Sequence, residues 1–263
     1  MLHLILNVYR AIFARKLFHR LNKLLYLFSL SGMGVLNYQN DRVTGERSFL
    51  KNFLKNREGG VVFDVGANVG DYSQKILDLT NQLTVYAFEP HPKTFLVLKN
   101  RIDSPNFIPI KAAASDTEGF SYLYDYEDKD GSSHASLYRD VIETIHKAKS
   151  VKHKIRVLSL GDFAKSKDIK KISLLKIDAE GNELNILKGI LEYLKAGRIE
   201  AIHFEFNEMN VSSRTYFKDF WELLPNYDFY RLLPNELIKL ENYNPIFCEI
   251  FAYQNIVALL KRN

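Results

Sequence analysis

The chain changes its hydrophobic rhythm near residue 60. Downstream, short apolar runs rich in β-branched residues alternate with segments of helical period. The pattern predicts strands over 61–65, 83–88, 107–112, 171–177 and 199–206. Between and after them it predicts helices over 70–79, 93–101, 183–195 and near 213–223. Such alternation implies an α/β fold, a parallel sheet with helices on both faces. The nearly continuous apolar run 199–206 fits a strand buried on both sides. The tail breaks the alternation: 227–233, 237–240 and 254–261 read as antiparallel strands at one sheet edge, joined by polar turns. Residues 113–157 are irregular, with a hairpin around 120–124, an acidic loop over 125–130, a helix near 137–149 and a strand over 154–158.

Residues 2–30 follow a different pattern. Arg15, Lys16, His19, Arg20 and Lys23 recur at helical steps, and Leu17, Leu21, Leu24, Leu25 and Phe28 fall opposite them. This is a basic amphipathic helix. No stretch reaches the roughly 18–20 uninterrupted apolar residues that a bilayer span needs, and no small-residue cleavage site marks a signal peptide. Two readings stand. The apolar stripe packs on the body as a lid, the commoner fate of such stripes, or it lies on an anionic membrane surface or over a lipid-linked substrate. Gly32 and Gly34 then end the helix, and 37–45 reads as a turn-rich connection.

Charge sharpens this division. Of 36 Lys and Arg, five lie in residues 1–40, where the first acid is Asp41; the remaining 31 balance 31 acidic residues. The body is neutral, which argues against a broad nucleic-acid-binding face. Cys248 is the only cysteine, so a disulfide framework and a thiolate zinc site are both excluded. A lone thiol fits a reducing compartment, and a cytoplasmic location is expected, with peripheral contact at the inner face of the membrane through residues 1–30 as the alternative to a lid.

The most informative segment is Asp64-Val65-Gly66-Ala67-Asn68-Val69-Gly70, where the first strand gives way to the first helix. Ligands of open parallel sheets bind beyond the carboxyl ends of the strands. Gly66 lets backbone approach a ligand closely, and Gly70 opens the helix. The spacing G-x-x-x-G is not the G-x-G-x-x-G of dinucleotide sites. Glu89 ends the second predicted strand and is placed to accept hydrogen bonds from both hydroxyls of a ribose. Ser115 and Asp116 follow the third, where Asp116 can meet an adenine amino group. The plainer alternative is that Asp64 and Gly66 only build a turn and that Asp116 caps one.

Three blocks in order carry a resemblance: 63–70, then Ala87-Phe88-Glu89-Pro90-His91-Pro92, then Leu175-Lys176-Ile177-Asp178-Ala179-Glu180-Gly181-Asn182-Glu183. Over roughly residues 60–210 the chain resembles the FkbM family of S-adenosylmethionine-dependent methyltransferases. The resemblance implies a class I (Rossmann-like) methyltransferase sheet of seven mostly parallel strands over residues 46–263, preceded by the helical segment 1–45. It implies S-adenosylmethionine as methyl donor and O-methylation of sugars or natural products. Asp64, Gly66 and Asn68 would line the amino acid end of the cofactor, Glu89 would hold the ribose, and Asp116 would lie by the adenine. One departure is Gly131-Ser132-Ser133-His134-Ala135-Ser136-Leu137, which carries extra residues where members often show a compact G-x-S-S-L. The placement of the substrate loop therefore stays open.

Methyl transfer from a sulfonium is an in-line displacement, so the protein mainly positions the nucleophile. A sugar hydroxyl needs a base, or a metal that lowers its pKa. Asp178 sits at a strand end beside the expected methyl group, and Glu180 and Glu183 follow. Three acids so close imply either a base with a raised pKa or a bound cation such as Mg²⁺ on Asp178 and Glu180; alternatively, Glu180 and Glu183 only favour a helix N-terminus. His203 and Glu205 share one face of a strand, as a base or as a buried His–Glu pair. His134 reads as surface, and His91 equally as a stacking or loop-rigidifying residue or as a catalytic one. Tyr122, Tyr124 and Tyr126 alternate at strand spacing and offer faces for a sugar ring. The Asn-Pro-Pro-Tyr motif of methyltransferases acting on bases is absent, which points away from a nucleic acid. The expected acceptor is a carbohydrate (glycan, lipid-linked or nucleotide sugar), with a small secondary metabolite or lipid second and a cofactor-binding module without turnover third. A nicotinamide dehydrogenase is a distant fourth.

Overall fold

The computed structural model of the chain describes all residues except 56, 58 and 263. Two helices lead: α1 (Leu2–Phe13) and α2 (His19–Gly32), joined through a 3-10 turn at Lys16–Phe18. The body follows as α3 (Glu46–Leu54), β1 (Val61–Val65), α4 (Asp71–Leu79), β2 (Thr84–Phe88), α5 (Pro92–Arg101), β3 (Phe107–Ile110), β4 (Ala113–Ser115), β5 (Gly119–Tyr126) and β6 (Ser150–Ser159). Then come α6 (Leu160–Ser166), β7 (Ile172–Ile177), α7 (Glu183–Lys188), α8 (Leu191–Lys195), β8 (Ile199–Phe206), α9 (Met209–Ser213), α10 (Phe217–Leu223), β9 (Tyr227–Leu232), β10 (Leu237–Leu240), α11 (Pro245–Cys248) and β11 (Gln254–Leu260).

The main sheet runs β10-β9-β11-β8-β7-β1-β2-β3. Its five strands from β3 to β8 are parallel, and β11, β9 and β10 add to them antiparallel. Seven strands make the expected class I sheet, and the β9–β10 hairpin adds an eighth at the edge. The predicted tail strands are antiparallel as expected, but β11 inserts between β8 and β9. The chain progresses one way through β1, β2 and β3 and the other way through β7 and β8. The switch point lies between β1 and β7, where ligands of such sheets bind.

Alternation along each strand builds two cores. Val62, Val85 and Leu174 face Phe49, Leu50, Ile76 and Leu98 of α3, α4 and α5. Phe63, Phe88 and Leu175 face the opposite layer with Leu160, Ile186 and Phe220 of α6, α7 and α10. Burial on both faces explains why these strands read as unbroken apolar runs.

Local corrections have local causes. The helix predicted over 183–195 is two helices, because Gly189 packs on the Ser115 carbonyl, 2.1 Å from where a Cβ would stand. The helix expected near 137–149 shrinks to one π-helical turn, Val141–Ile145. The hairpin expected around 120–124 is instead a long-range pairing of β5 with β6, in a small second sheet ordered β4-β6-β5. The helix α3 went unpredicted.

Candidate active site

The turn after β1 is built by backbone. Gly66 and Ala67 both donate N–H to the Phe88 carbonyl at 3.0 Å, and Asp178 donates its N–H to the Val65 carbonyl. Gly66 has φ +79°, and a Cβ there would stand 1.6 Å from the Asp178 carbonyl oxygen. Only glycine fits. Glu89 ties the next strand tip to this turn. Its Oε2 accepts from the Asn68 N–H at 2.9 Å and its Oε1 from the His91 N–H at 2.7 Å. Burial pushes the Glu89 carboxyl up to about 7, against those two bonds.

Around Glu89 opens a cavity between the strand tips and the segment 132–137. Its apolar walls are Phe88, Pro90, Ala112, Ala113, Ala114, Leu123, Leu137 and Ile186; Gly66, Asn68, Glu89, Asp178, Glu180 and Asn182 supply the polar atoms. A flat heterocycle fits the apolar part and a ribose fits beside Glu89, whose oxygens keep lone pairs for two hydroxyls. These residues fit an S-adenosyl group. Ser115 and Asp116 do not join them. Ser115 is buried with its hydroxyl on Asp116 (3.1 Å), the Asp116 side is exposed, and neither lines the cavity; Ala112–Ala114 do so instead. Gly70 is also outside. It caps α4 at φ +91° and lets Leu98 and Ile102 pack where a Cβ would be.

A second, more open cleft of about 1150 Å³ adjoins the first and shares Gly66, Asn68, Ser133 and Asp178 with it. Its walls hold Tyr38, Glu46, Asp64, Lys176, Glu205 and Tyr253. Strand periodicity places the charges. On the face where Val62, Leu174 and Ala201 are core, the next positions toward the carboxyl ends are Asp64, Lys176 and His203, paired in register across β1, β7 and β8. One pleat further stand Gly66, Asp178 and Glu205.

Lys176 is 3% exposed, and its Nζ has no hydrogen-bond partner among the described residues. It lies 3.8 Å from Asp178 Oδ2, 3.9 Å from Glu205 Oε1 and 4.0 Å from Glu46 Oε1. Burial lowers its pKa, but Asp178, Glu205, Glu46 and Asp64 together outweigh that and hold the ammonium protonated. Glu205 moves up, through burial and Asp178 against the pull of Lys176. Asp64 accepts from Ser73 Oγ at 2.6 Å, and burial raises it to about 6.

The three acids expected to crowd together diverge. Glu183 is structural: its Oε1 accepts the Ala179 and Gly181 N–H groups at 3.1 Å, and burial raises it to about 7. Glu180, at φ +48°, is buried and raised by that burial; its Oε1 lies 3.4 Å from His134 Nδ1, and its Oε2 is unpartnered among the described residues. Asp178 faces Lys176. Asp178 and Glu180, the pair expected for Mg²⁺, each meet a different basic side chain, Lys176 and His134. Among the described residues, the trio of ligand-type side chains close enough for a metal is His91, Asp130 and His153. There, both imidazoles already bond Asp130 Oδ1 (2.9 and 2.6 Å) and Lys93 Nζ bonds its Oδ2 (2.6 Å), which is a protein ion-pair network.

His203 is not in the cleft. It is fully buried, with Nδ1 bonded to Tyr72 Oη and Nε2 to Asn255 Oδ1, both at 2.8 Å. Burial and Lys176 lower its pKa, so it stays neutral. It pairs with neither Glu205 nor a ligand, and both nitrogens are spent. His134 is only half-exposed and meets Glu180, contrary to the surface expectation. His91 rigidifies: it is buried at the N-terminus of α5, accepting from Lys93 and Thr94 N–H. Tyr122, Tyr124 and Tyr126 line neither cavity; Tyr124 and Tyr126 pack by Val141, Ile142 and Met209. The longer segment 131–137 roofs the first cavity through Ser132, Ser133, Ala135 and Leu137. Asp125 organises it, accepting from Gly131 and Ser132 N–H and from Ser132 Oγ.

Sequence reading missed Glu46, Lys176, Tyr38 and Tyr253. Lys176 left a signal, since a lysine inside the buried run 172–177 requires anionic partners. The other three left none.

A family model described as "Methyltransferase FkbM domain" matches residues 64–230. Hexuronic acid methyltransferase AglP of Haloferax volcanii is 26% identical over 58% of this chain and 59% of its own length. The 31-O-demethyl-FK506 methyltransferase FkbM of Streptomyces tacrolimicus is 29% identical over 55% of this chain and 65% of its own. The chain thus matches less than two thirds of the length of each relative. Among solved structures, Aeropyrum pernix fibrillarin with bound S-adenosyl-L-methionine aligns at TM-score 0.42 and 12% identity, over 81% of this chain and 73% of that one.

Proposed function

The chain belongs to the FkbM family of methyltransferases, and from that premise we propose that it transfers a methyl group from S-adenosylmethionine to a hydroxyl of a carbohydrate acceptor. The bound cofactor supplies an electrophilic methyl group. The chain's own residues do the rest. Glu89 holds the ribose, and Phe88, Pro90 and Ala112–Ala114 enclose the base. Asp64 and Asp178 face the cofactor's amino acid end, where the acceptor cleft meets the cavity.

The observation that carries the acceptor reading is Glu205. It is a buried carboxylate with a raised pKa in the wall of the second cleft. A hydroxyl nucleophile needs a proton acceptor, and a carboxylate made more basic by its surroundings accepts a proton more readily. Lys176 stays protonated and acts as a positioning residue between Asp178 and Glu205. Tyr38 and Tyr253 offer aromatic faces, and the carboxylates accept sugar hydroxyls. The Haloferax volcanii relative is a hexuronic acid methyltransferase, which supports a sugar acceptor. Because Lys176 supplies the positive charge among these acids, the reading assigns no step to Mg²⁺.

The test is incubation with methyl-labelled S-adenosylmethionine and a panel of glycans, nucleotide sugars and hydroxylated natural products, with and without EDTA. Label in a sugar hydroxyl, unchanged by EDTA, is expected. Label confined to a macrolide or phenol shifts the acceptor to the small-metabolite class, which the Streptomyces tacrolimicus relative represents. Cofactor binding without label in any pool reduces the protein to a binding module.

A further inference from the structure

The helices α1 and α2 form a hairpin of their own. Tyr9 Oη donates to Asn22 Oδ1 (2.5 Å), Asn22 Nδ2 donates to the Phe13 carbonyl (3.0 Å), and the Phe13 ring meets Tyr9 and Phe18 at 4.8 and 5.1 Å. The hairpin does not pack on the body. No residue of α1 is buried, and in α2 only Leu30 is. Fifteen large apolar side chains are exposed within residues 1–28, against eleven in the rest of the described chain. Leu4 is 69% exposed, Leu17 83% and Phe28 64%. An apolar surface of this density marks a site that something covers.

Charge says what covers it. Residues 1–40 carry Arg10, Arg15, Lys16, Arg20 and Lys23 and no acid, while the body is neutral. Arg15 and Lys16 sit at the hairpin bend beside the exposed Leu17. A protein partner would need a matching acidic and apolar surface; a leaflet of anionic phospholipid presents both over any area. No described helix is long and apolar enough to cross a membrane, which leaves an interfacial position.

The hairpin is also tied to the acceptor cleft. Past α2, Val35 bridges to Gln254 and the Leu36 N–H bonds the Tyr253 carbonyl at 2.7 Å. Tyr38 and Tyr253 then form part of the cleft wall. We propose that the α1–α2 hairpin docks in the interface of an anionic membrane and holds the cleft at its surface, within reach of a lipid-linked acceptor. Docking itself needs neither cofactor nor acceptor; only the lipid-linked substrate class rests on the methyl-transfer reading.

The experiment is sedimentation of the full chain with vesicles of phosphatidylcholine alone or with about one third phosphatidylserine, at low and high salt. Binding to anionic vesicles that weakens with salt is expected. Replacing Lys16 or Lys23 by Gln should weaken binding about fivefold each, the equivalent of about 1 kcal/mol per basic residue at the surface. The triple variant Leu17→Glu, Leu24→Glu, Phe28→Glu should abolish it, with calorimetric binding of S-adenosylhomocysteine unchanged as proof of an intact body. Failure of the parent chain to bind anionic vesicles overturns the proposal. So does self-association in lipid-free buffer that the triple variant abolishes, which would assign the face to a second copy. Vesicle binding without methyl transfer would leave the docking intact and sink the acceptor reading alone.

Discussion

Asn68 donates its backbone N–H to Glu89 Oε2 at 2.9 Å, across 21 residues of sequence. The bond joins the turn after β1 to the tip of β2, two walls of the first cavity. It also loads the carboxylate: Glu89 is buried, and its pKa rises to about 7 in spite of two backbone donors. Ribose hydroxyls donating to it would favour the ionised form. Binding of S-adenosylhomocysteine near pH 6.5 should therefore release a fraction of a proton, read by calorimetry in buffers of different ionisation enthalpy. Glu89→Gln should abolish that release and weaken binding by roughly 10–100-fold, the size of a charged hydrogen bond at about 1.5–3 kcal/mol.

The same raised carboxyls set the stability of the ligand-free protein. Asp64 at about 6, and Glu89 and Glu183 at about 7, hold protons in the folded state that they lose when unfolded. Folded values above unfolded ones give stability that is present at and below about pH 4.5 and fades as pH rises toward 7. His203, lowered by burial, acts oppositely, adding stability above about pH 6.5. The raised carboxyls, Glu180 and Glu205 among them, outnumber the two lowered imidazoles, His203 and His146, so Tm should fall between pH 5 and 7.5 in thermal scans. A Tm that rises steadily over that range would contradict these assignments.

Gly66→Ala should be severe. The backbone there is left-handed, and the new Cβ would stand 1.6 Å from the Asp178 carbonyl. A loss on the order of 4 kcal/mol or more is expected, the range of the largest single substitutions, with nucleoside binding gone. Gly32→Ala meets nothing within 4 Å and should leave Tm unchanged.

Lys176 and Glu205 should separate in kinetics. Glu205→Gln removes the proposed base while keeping its shape, so kcat should drop by about 10²–10⁴ with cofactor affinity retained. Lys176→Met leaves Glu46, Asp178 and Glu205 without their shared counter-charge. Stability should fall by about 3–5 kcal/mol, and any residual activity should shift to higher pH as Glu205 titrates later. Equal kcat in parent and Glu205→Gln would remove Glu205 from the chemistry.

Asp130→Asn should loosen the roof over the nucleoside. Burial pushes Asp130 up, but bonds from Lys93, His91 and His153 hold it well below the usual carboxylate range. The segment that follows supplies Ser132, Ser133 and Leu137 to the cavity. Faster dissociation of S-adenosylhomocysteine with little change in association is expected, measured by stopped flow.

Much of the frame was legible in the chain because it rests on local physics. Short apolar runs and helical patterns marked β1, α4, β2, α5, β7 and β8 within a few residues, and Gly66 announced a turn that tolerates no side chain. Glu89 and Asp178 could be named because strand ends in a parallel sheet gather at one edge. What the tertiary structure alone decided concerns groups whose meaning depends on distant partners. His203 and Glu205 look equivalent along β8, yet Tyr72 and Asn255 consume one while the cleft receives the other. Asp116 sat at the expected spacing, but it is Ala112–Ala114 that line the cavity, and Asp116 follows them exposed to solvent. Glu46 and Tyr253, over 200 residues apart, meet around one lysine cleft. The N-terminal stripe was plain as an amphipathic helix, whereas its exposure, with Leu30 alone buried in α1 and α2, is a fact of three dimensions. Periodicity fixes which way a side chain points relative to its own backbone; only the folded chain fixes what waits there.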